Sequence, residues 1–118
     1  MEYGKLGTTG LDISKICLGV MSFGDASRGG HPWVLGPEAA RPLIKQAVEA
    51  GITFFDTADA YNAGRSEEIM GATLMKMTKR EDIVLSTKVG IRMSDSQNDQ
   101  GTSRARCSVP PTKRGSTW

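Results

Sequence analysis

The sequence predicts an α/β fold built of parallel βαβ units behind an N-terminal β-hairpin. Two patterns carry that prediction. Apolar residues return at helical spacing in two segments, and short β-branched or aromatic runs flank those segments, so the order reads hairpin, strand, helix, strand, helix, strand. Strands that alternate with amphipathic helices pack as right-handed parallel crossovers.

Each element has its own signal. Tyr3 to Leu6 and Leu11 to Ser14 partly alternate polar and apolar residues around a Gly7-Thr8-Thr9-Gly10 turn, a hairpin pattern. Ile16 to Val20 is a short apolar strand. Residues 22–37 are rich in Gly, Ser and Pro without a sustained period, and a loop of that length in a compact domain is functional or disordered. From Pro37 a helix brings Ala40, Leu43, Ile44, Ala47 and Val48 to one face and stops at Gly51. Pro42 removes one backbone donor and should bend the first turns or move the start towards residue 41. Ile52 to Phe55 reads as a buried strand ending at Asp56. After the loop DTADAYNAGR, Ser66 is a good N-cap with Glu67 and Glu68 in the first turn, and Ile69, Met70, Thr73, Leu74 and Met77 form the inward stripe of a second helix. A third strand, Ile83 to Thr87, ends at Lys88.

Composition excludes several classes. Hydrophobic residues make up 38% and charged residues 24%, and no apolar run approaches the roughly 20 residues of a membrane span, so no membrane partner is expected. The start MEYGKLGTTG lacks the basic and apolar regions of a secretory signal, which predicts the cytoplasm. Cys17 and Cys107 are expected as unpaired thiols. The chain carries +2, but Arg104, Arg106, Lys113 and Arg114 all lie in residues 101–118, where there is no acidic residue. Eleven basic against thirteen acidic residues leave residues 1–100 at −2, so no basic face for nucleic acid remains. Residues 101–118 are proline-interrupted and show neither helical nor strand periodicity, and are read as a divergent, disordered basic tail.

In parallel α/β folds, chemistry gathers where strands end and side chains enter a shared crevice. Here the strands end at Gly19-Val20-Met21, at Asp56 and at Lys88. Asp56 leaves an apolar run and should seek a cation, and Lys88, one strand over, is the natural partner. Tyr61 lies five residues after Asp56, far enough for the loop to fold back over the same crevice. A phenol exchanges its proton near neutrality only where a neighbouring charge stabilises its anion, and an ammonium held by a carboxylate supplies that charge. Taken singly, Asp56 suits a turn former, Tyr61 a half-buried loop aromatic and Lys88 a solvated terminus. The triple suits a general acid that protonates a carbonyl oxygen as hydride reaches the carbon. No metal is expected, because the strand ends lack the histidines or clustered carboxylates of a metal-dependent barrel hydrolase.

The segments YGKLGTTGLDISKICLGVMSFG, GITFFDTADAYNAGRSEEIMG and IVLSTKVG, in that order and spacing, resemble the opening of the aldo-keto reductase family, and GGHPWVLGPEAARPLIKQAVEAG is similar to its longer-looped bacterial members. The resemblance runs from about residue 2 to about residue 100. It implies a partial (β/α)₈ TIM barrel whose hairpin closes the bottom, with NADPH extended across the top and a small aldehyde or ketone as substrate. A complete barrel needs roughly 250 residues, so the chain is expected to be an N-terminal portion, residues 1–100, truncated or frame-shifted before a tail at 101–118. By position, Asp56, Tyr61 and Lys88 match three members of the family's catalytic tetrad, with Tyr61 as proton donor. Gly19, Val20 and Met21 match the backbone along the nicotinamide ribose, which Asp56 also borders. The fourth member, a histidine at the next strand end, is missing. The one histidine, His31, sits in the first βα loop and is read as a loop contact. The alternative to a reductase is an inert fragment or a non-catalytic binding module.

Overall fold

The computed structural model describes residues 1–28 and 31–108. The hairpin pairs β1 (Tyr3–Lys5) with β2 (Asp12–Ser14), Tyr3 opposite Ser14. A separate parallel sheet follows in the order β3 (Cys17–Gly19), β4 (Phe54–Asp56), β5 (Val84–Ser86). Helix α1 (Pro37–Glu49) connects β3 to β4, and α2 (Arg65–Leu74) connects β4 to β5. The order expected from periodicity is the order observed.

Register does the sorting. Leu18, Phe55 and Leu85 share one row and point to the helices, and the rows on either side, Cys17 with Phe54 and Val84, and Gly19 with Asp56 and Ser86, point the other way. Phe55 is fully buried and joins Val20, Phe23, Ala40, Ile44, Ile69, Met70, Leu74 and Ile83 in one core. That core is the interface between α1, α2 and one face of the sheet, as a half-apolar sheet and two striped helices require.

Helix α1 starts at Pro37, as read, and one expectation about its face is corrected. Pro42 does not move the start towards residue 41, because it forfeits a single hydrogen bond in the second turn while its fixed φ suits the helix. Leu43 is 43% exposed, because the buried stripe is centred on Ala40, Ile44 and Ala47 and leaves it on the flank. The stop at Gly51 is as read: its φ of +85° is left-handed, and a Cβ there would lie 2.9 Å from the Tyr3 hydroxyl, which donates to the Gly51 carbonyl at 3.0 Å. The first turn of α2 is also corrected. Its cap position is Gly64, in the left-handed region, and Ser66 lies inside the helix with its hydroxyl turned to another loop. After residue 100, where the sequence shows no period, Arg104–Cys107 forms a single helical turn, α3, with Arg106 buried. Val109 and the residues beyond it lie outside the described residues.

The hairpin seals the end of the sheet opposite Asp56. Ser14 is buried, and its hydroxyl accepts from the Thr53 N–H at 3.0 Å and donates to the Ile16 carbonyl at 2.6 Å, while its own N–H donates to Thr53 Oγ1 at 3.1 Å. Ser14→Ala strands a part-buried Thr53 donor, and the expected cost is about 1–3 kcal/mol. Urea unfolding of the purified chain measures it, and a change below about 0.5 kcal/mol, the size of a neutral surface substitution, would contradict this role.

Candidate active site

At the C-terminal edge of the sheet the three strands end level, with Gly19 beside Asp56 and Asp56 beside Ser86. The pairing continues past the strands: Val20 N–H donates to the Asp56 carbonyl at 3.0 Å, Thr57 N–H to the Ser86 carbonyl at 2.8 Å and Asp59 N–H to the Lys88 carbonyl at 3.2 Å. This zipper delivers Lys88 to Asp56. Its ammonium donates to Asp56 Oδ2 at 2.6 Å and to the Thr57 carbonyl at 2.8 Å, and lies 4.8 Å from the centre of the Tyr61 ring, a cation–π distance. The sequence-predicted triple is therefore one cluster.

Burial pulls the Lys88 pKa down, but hydrogen bonding and charge from Asp56 and Tyr61 outweigh it, and the net shift is upward from the ordinary 10.5. Cys17, on the same face of the sheet as Asp56, has its thiol pushed up by burial and by the Asp56 charge, with Lys88 opposing. Both cysteines are free, and Cys17 is exposed as a residue although its thiol is partly shielded. Among the described residues no group of three His, Cys, Asp or Glu side chains is arranged to hold a metal ion, and no helix is long and apolar enough to cross a membrane.

The residues ending β3 divide. Gly19 is exposed, and nothing lies within 4 Å of where a Cβ would stand. Met21 is 46% exposed and, with Tyr61, Ala60, Asn62, Ala63 and His31, lines a shallow cavity of about 170 Å³. Val20 differs: its side chain is in the core, its N–H is bound to Asp56 and its carbonyl accepts from Phe23 N–H at 2.9 Å. Its backbone is thereby anchored at the end of β3. His31 stacks on Trp33, ring centres 4.8 Å apart and 8° from parallel, so it is a loop contact, though at the rim of the same cavity.

Sequence reasoning missed the residue that holds the Tyr61 loop. Asn62 and Ala63 adopt left-handed φ of 51° and 52°, costly for residues with a Cβ. The Asn62 amide offsets this by donating to the carbonyls of Met21 at 2.9 Å and Phe23 at 3.1 Å and to Ser66 Oγ at 3.1 Å, and Ser66 Oγ also donates to the Phe23 carbonyl. Asn62 fits only because Gly24 has no side chain: a Cβ there would stand 2.3 Å from the Asn62 amide carbon. The tolerance of asparagine for the left-handed region was the one available signal, and it names no partner. Glu67, read as a helix-dipole residue, is buried and accepts from Thr87 Oγ1 at 2.6 Å, tying α2 to the end of β5.

A hairpin under a parallel sheet, with a carboxylate, an ammonium and a phenol at the strand ends, is the opening of a (β/α)₈ barrel. The aldo/keto reductase family profile matches residues 15–109, and the chain belongs to that family. It is 43% identical over 99 residues to the versiconal hemiacetal acetate reductase of Aspergillus parasiticus, covering 83% of this chain and 28% of that protein. It is 35% identical over 106 residues to the aldo-keto reductase YhdN of Bacillus subtilis, covering 90% and 31%. Among solved structures, the holo form of the aldo-keto reductase AKR11C1 from Bacillus halodurans superposes with a TM-score of 0.65 at 35% identity, covering 85% of this chain and 30% of that one. The chain thus spans under a third of the length of these relatives.

Two outcomes follow from the geometry. Gly24→Ala should expel the Asn62 amide and destabilise the chain by about 1–3 kcal/mol, measured by urea unfolding; an effect no larger than that of a Gly36→Ala control, where an added Cβ meets nothing within 4 Å, would refute the packing. The second outcome is a pH dependence. A pKa raised on folding contributes stability that is complete below the unfolded value near 10.5 and fades as pH climbs through the higher folded value. The stability gap between wild type and Lys88→Met should therefore stay flat from neutral pH to about 10 and narrow above it, and a gap that widens with alkali would show the shift to be of the opposite sign.

Proposed function

We propose that this chain carries the proton donor and part of the cofactor floor of an NADPH-dependent reductase that converts aldehydes or ketones to alcohols. The supporting observation is the convergence of Asp56, Lys88 and Tyr61 at one strand edge, with the Lys88 ammonium 2.6 Å from the carboxylate and against the phenol ring. When bound, the reduced nicotinamide supplies hydride to the carbonyl carbon. The residues fit such a group: Gly19 leaves open space beside the Asp56 carboxylate, and Met21 and Tyr61 face the adjoining cavity. Asp56 fixes the Lys88 ammonium, Lys88 stabilises negative charge on the Tyr61 oxygen, and Tyr61 donates its proton to the carbonyl oxygen of the substrate. The backbone of Gly19, Val20 and Met21 runs along the cofactor, which Asp56 also borders, and the Val20 N–H bond to the Asp56 carbonyl holds that backbone in place. Two free thiols suit a reducing, cytoplasmic setting.

A second reading, an inert or purely binding fragment, draws support from the sheet itself. Among the described residues β3 and β5 each pair with one strand, so each keeps an open edge, and Lys88 is half exposed to water that screens its charge. Joining residues 1–100 to the complementary remainder of YhdN separates the readings. The chimera should oxidise NADPH in the presence of a reactive aldehyde, and Tyr61→Phe in it should lower kcat by about 10²–10⁴-fold, the usual size of a lost general acid. Turnover that Tyr61→Phe leaves unchanged would remove the proton-donor role, and a folded chimera without turnover would favour the second reading.

A further inference from the structure

The segment after residue 100 reaches back into the site. Arg106 is 1% exposed, and its guanidinium lies between two carboxylates: Nη2 is 2.5 Å from Asp59 Oδ2 and Nε is 3.1 Å from Asp99 Oδ1. Asp59, itself 3% exposed, stands between Asp56 and Tyr61 in the chain, and its N–H bonds the Lys88 carbonyl. The segment is tied to the body at one further point and closed on itself at another. Gly101 N–H donates to the Gly90 carbonyl at 2.9 Å, and Ser103 Oγ accepts from the Arg106 N–H at 3.2 Å, closing the turn that presents the side chain. A buried ion pair is costly to break from one side, because the partner left behind is a charge without water. Arg106 therefore grips the loop that carries Tyr61 far more firmly than the exposed pairs elsewhere, such as Lys5 with Asp12 or Arg92 with Asp95, can hold anything.

We infer that Arg106 is a positioning residue: through Asp59 it clamps the loop from Thr57 to Ala63, so that the divergent segment latches the proton donor over the strand ends. The consequence for chemistry rests on the reductase reading above, and the latch itself does not. The sequence composition of residues 101–118, basic and without acidic residues, matches this use, because the carboxylates that receive Arg106 both lie in the body of the chain.

The test uses the whole chain as wild type, Arg106→Met, Arg106→Lys and the double variant Asp59→Asn with Arg106→Met. Hydrogen exchange is read amide by amide and the Tyr61 ring signals are followed by NMR. Arg106→Met should speed exchange of residues 57–63 by about tenfold or more and shift the Tyr61 ring signals, while the amides of α1 stay within about twofold. The double variant should recover part of the lost protection, since it also removes the buried negative charge that Arg106 balances. Arg106→Lys should fall between wild type and Arg106→Met, because an ammonium is a point charge that serves one carboxylate well and two poorly. Unchanged loop amides, or a uniform acceleration across the chain, overturns the inference. If Arg106→Met does not fold, Arg106→Lys decides: loosening confined to residues 57–63 supports the latch, and none refutes it. Carbonyl reduction is not read in this experiment, so the latch and the reductase proposal stand or fall separately.

Discussion

The register of three parallel strands is the constraint on which the site depends. Phe55 has no exposure, and its place between Leu18 and Leu85 against the helices admits one pairing only. A slip of one residue would turn Phe55 out and drive the Asp56 carboxylate into the core, an exchange of apolar burial for an unpaired buried charge. The apolar residue that locks the strand thereby fixes the direction of the acidic residue after it. The same register sets Gly19 and Ser86 level with Asp56, so the backbone beyond each strand stays zipped long enough to bring Lys88 to the carboxylate.

What the register cannot do is hold a loop. Between Asp56 and α2 the chain must leave the sheet, pass Lys88 and turn into a helix, and it does so through two consecutive left-handed residues that are not glycine. Strain of that kind costs about 1–3 kcal/mol per residue and persists only where the surroundings over-determine it. Here they do so from both ends. Asn62 and Ser66 pin the second half of the loop to the backbone after β3, and Arg106 pins the first half through Asp59. Tyr61 lies between these two fixings, which gives its ring a defined place above Lys88 although it belongs to no regular strand or long helix.

The parts of this arrangement that were legible in the sequence are those governed by period and by strand ends. The stripe Ala40, Ile44, Ala47 identifies α1, the run Ile52 to Phe55 identifies β4, and the charged residues just past each apolar run, Asp56 and Lys88, announce the edge where they meet. The residues that escaped depend on contacts between distant segments. Ser66 has the chemistry of a cap and stands where a cap could be, but the Phe23 carbonyl, 43 positions away, takes its hydroxyl. Leu43 satisfies the helical period yet lies outside the narrower stripe that two helices on a three-stranded sheet can cover. Arg106 offered no periodicity at all, because a single buried ion pair has no pattern along the chain.

Geometry and electrostatic strength have different origins in this molecule. The positions of Asp56, Lys88 and Tyr61 are set by strand register and by two loop anchors, Asn62 with Ser66 and Arg106 with Asp59. Their effect on a proton is set by dielectric, and the Lys88 side chain is 50% exposed and that of Asp56 33%. An ion pair open to water to that degree is worth about 0–1 kcal/mol. Burial of the rim requires neighbours along the outer edges of β3 and β5, which pair with no other strand among the described residues. The AKR11C1 chain, of which this one covers 30%, is long enough to supply them. A site assembled by one part of a barrel and dehydrated by another follows from the way parallel strands present their ends: each βα unit contributes its side chains alone, but only a closed ring of units excludes water from the crevice they share.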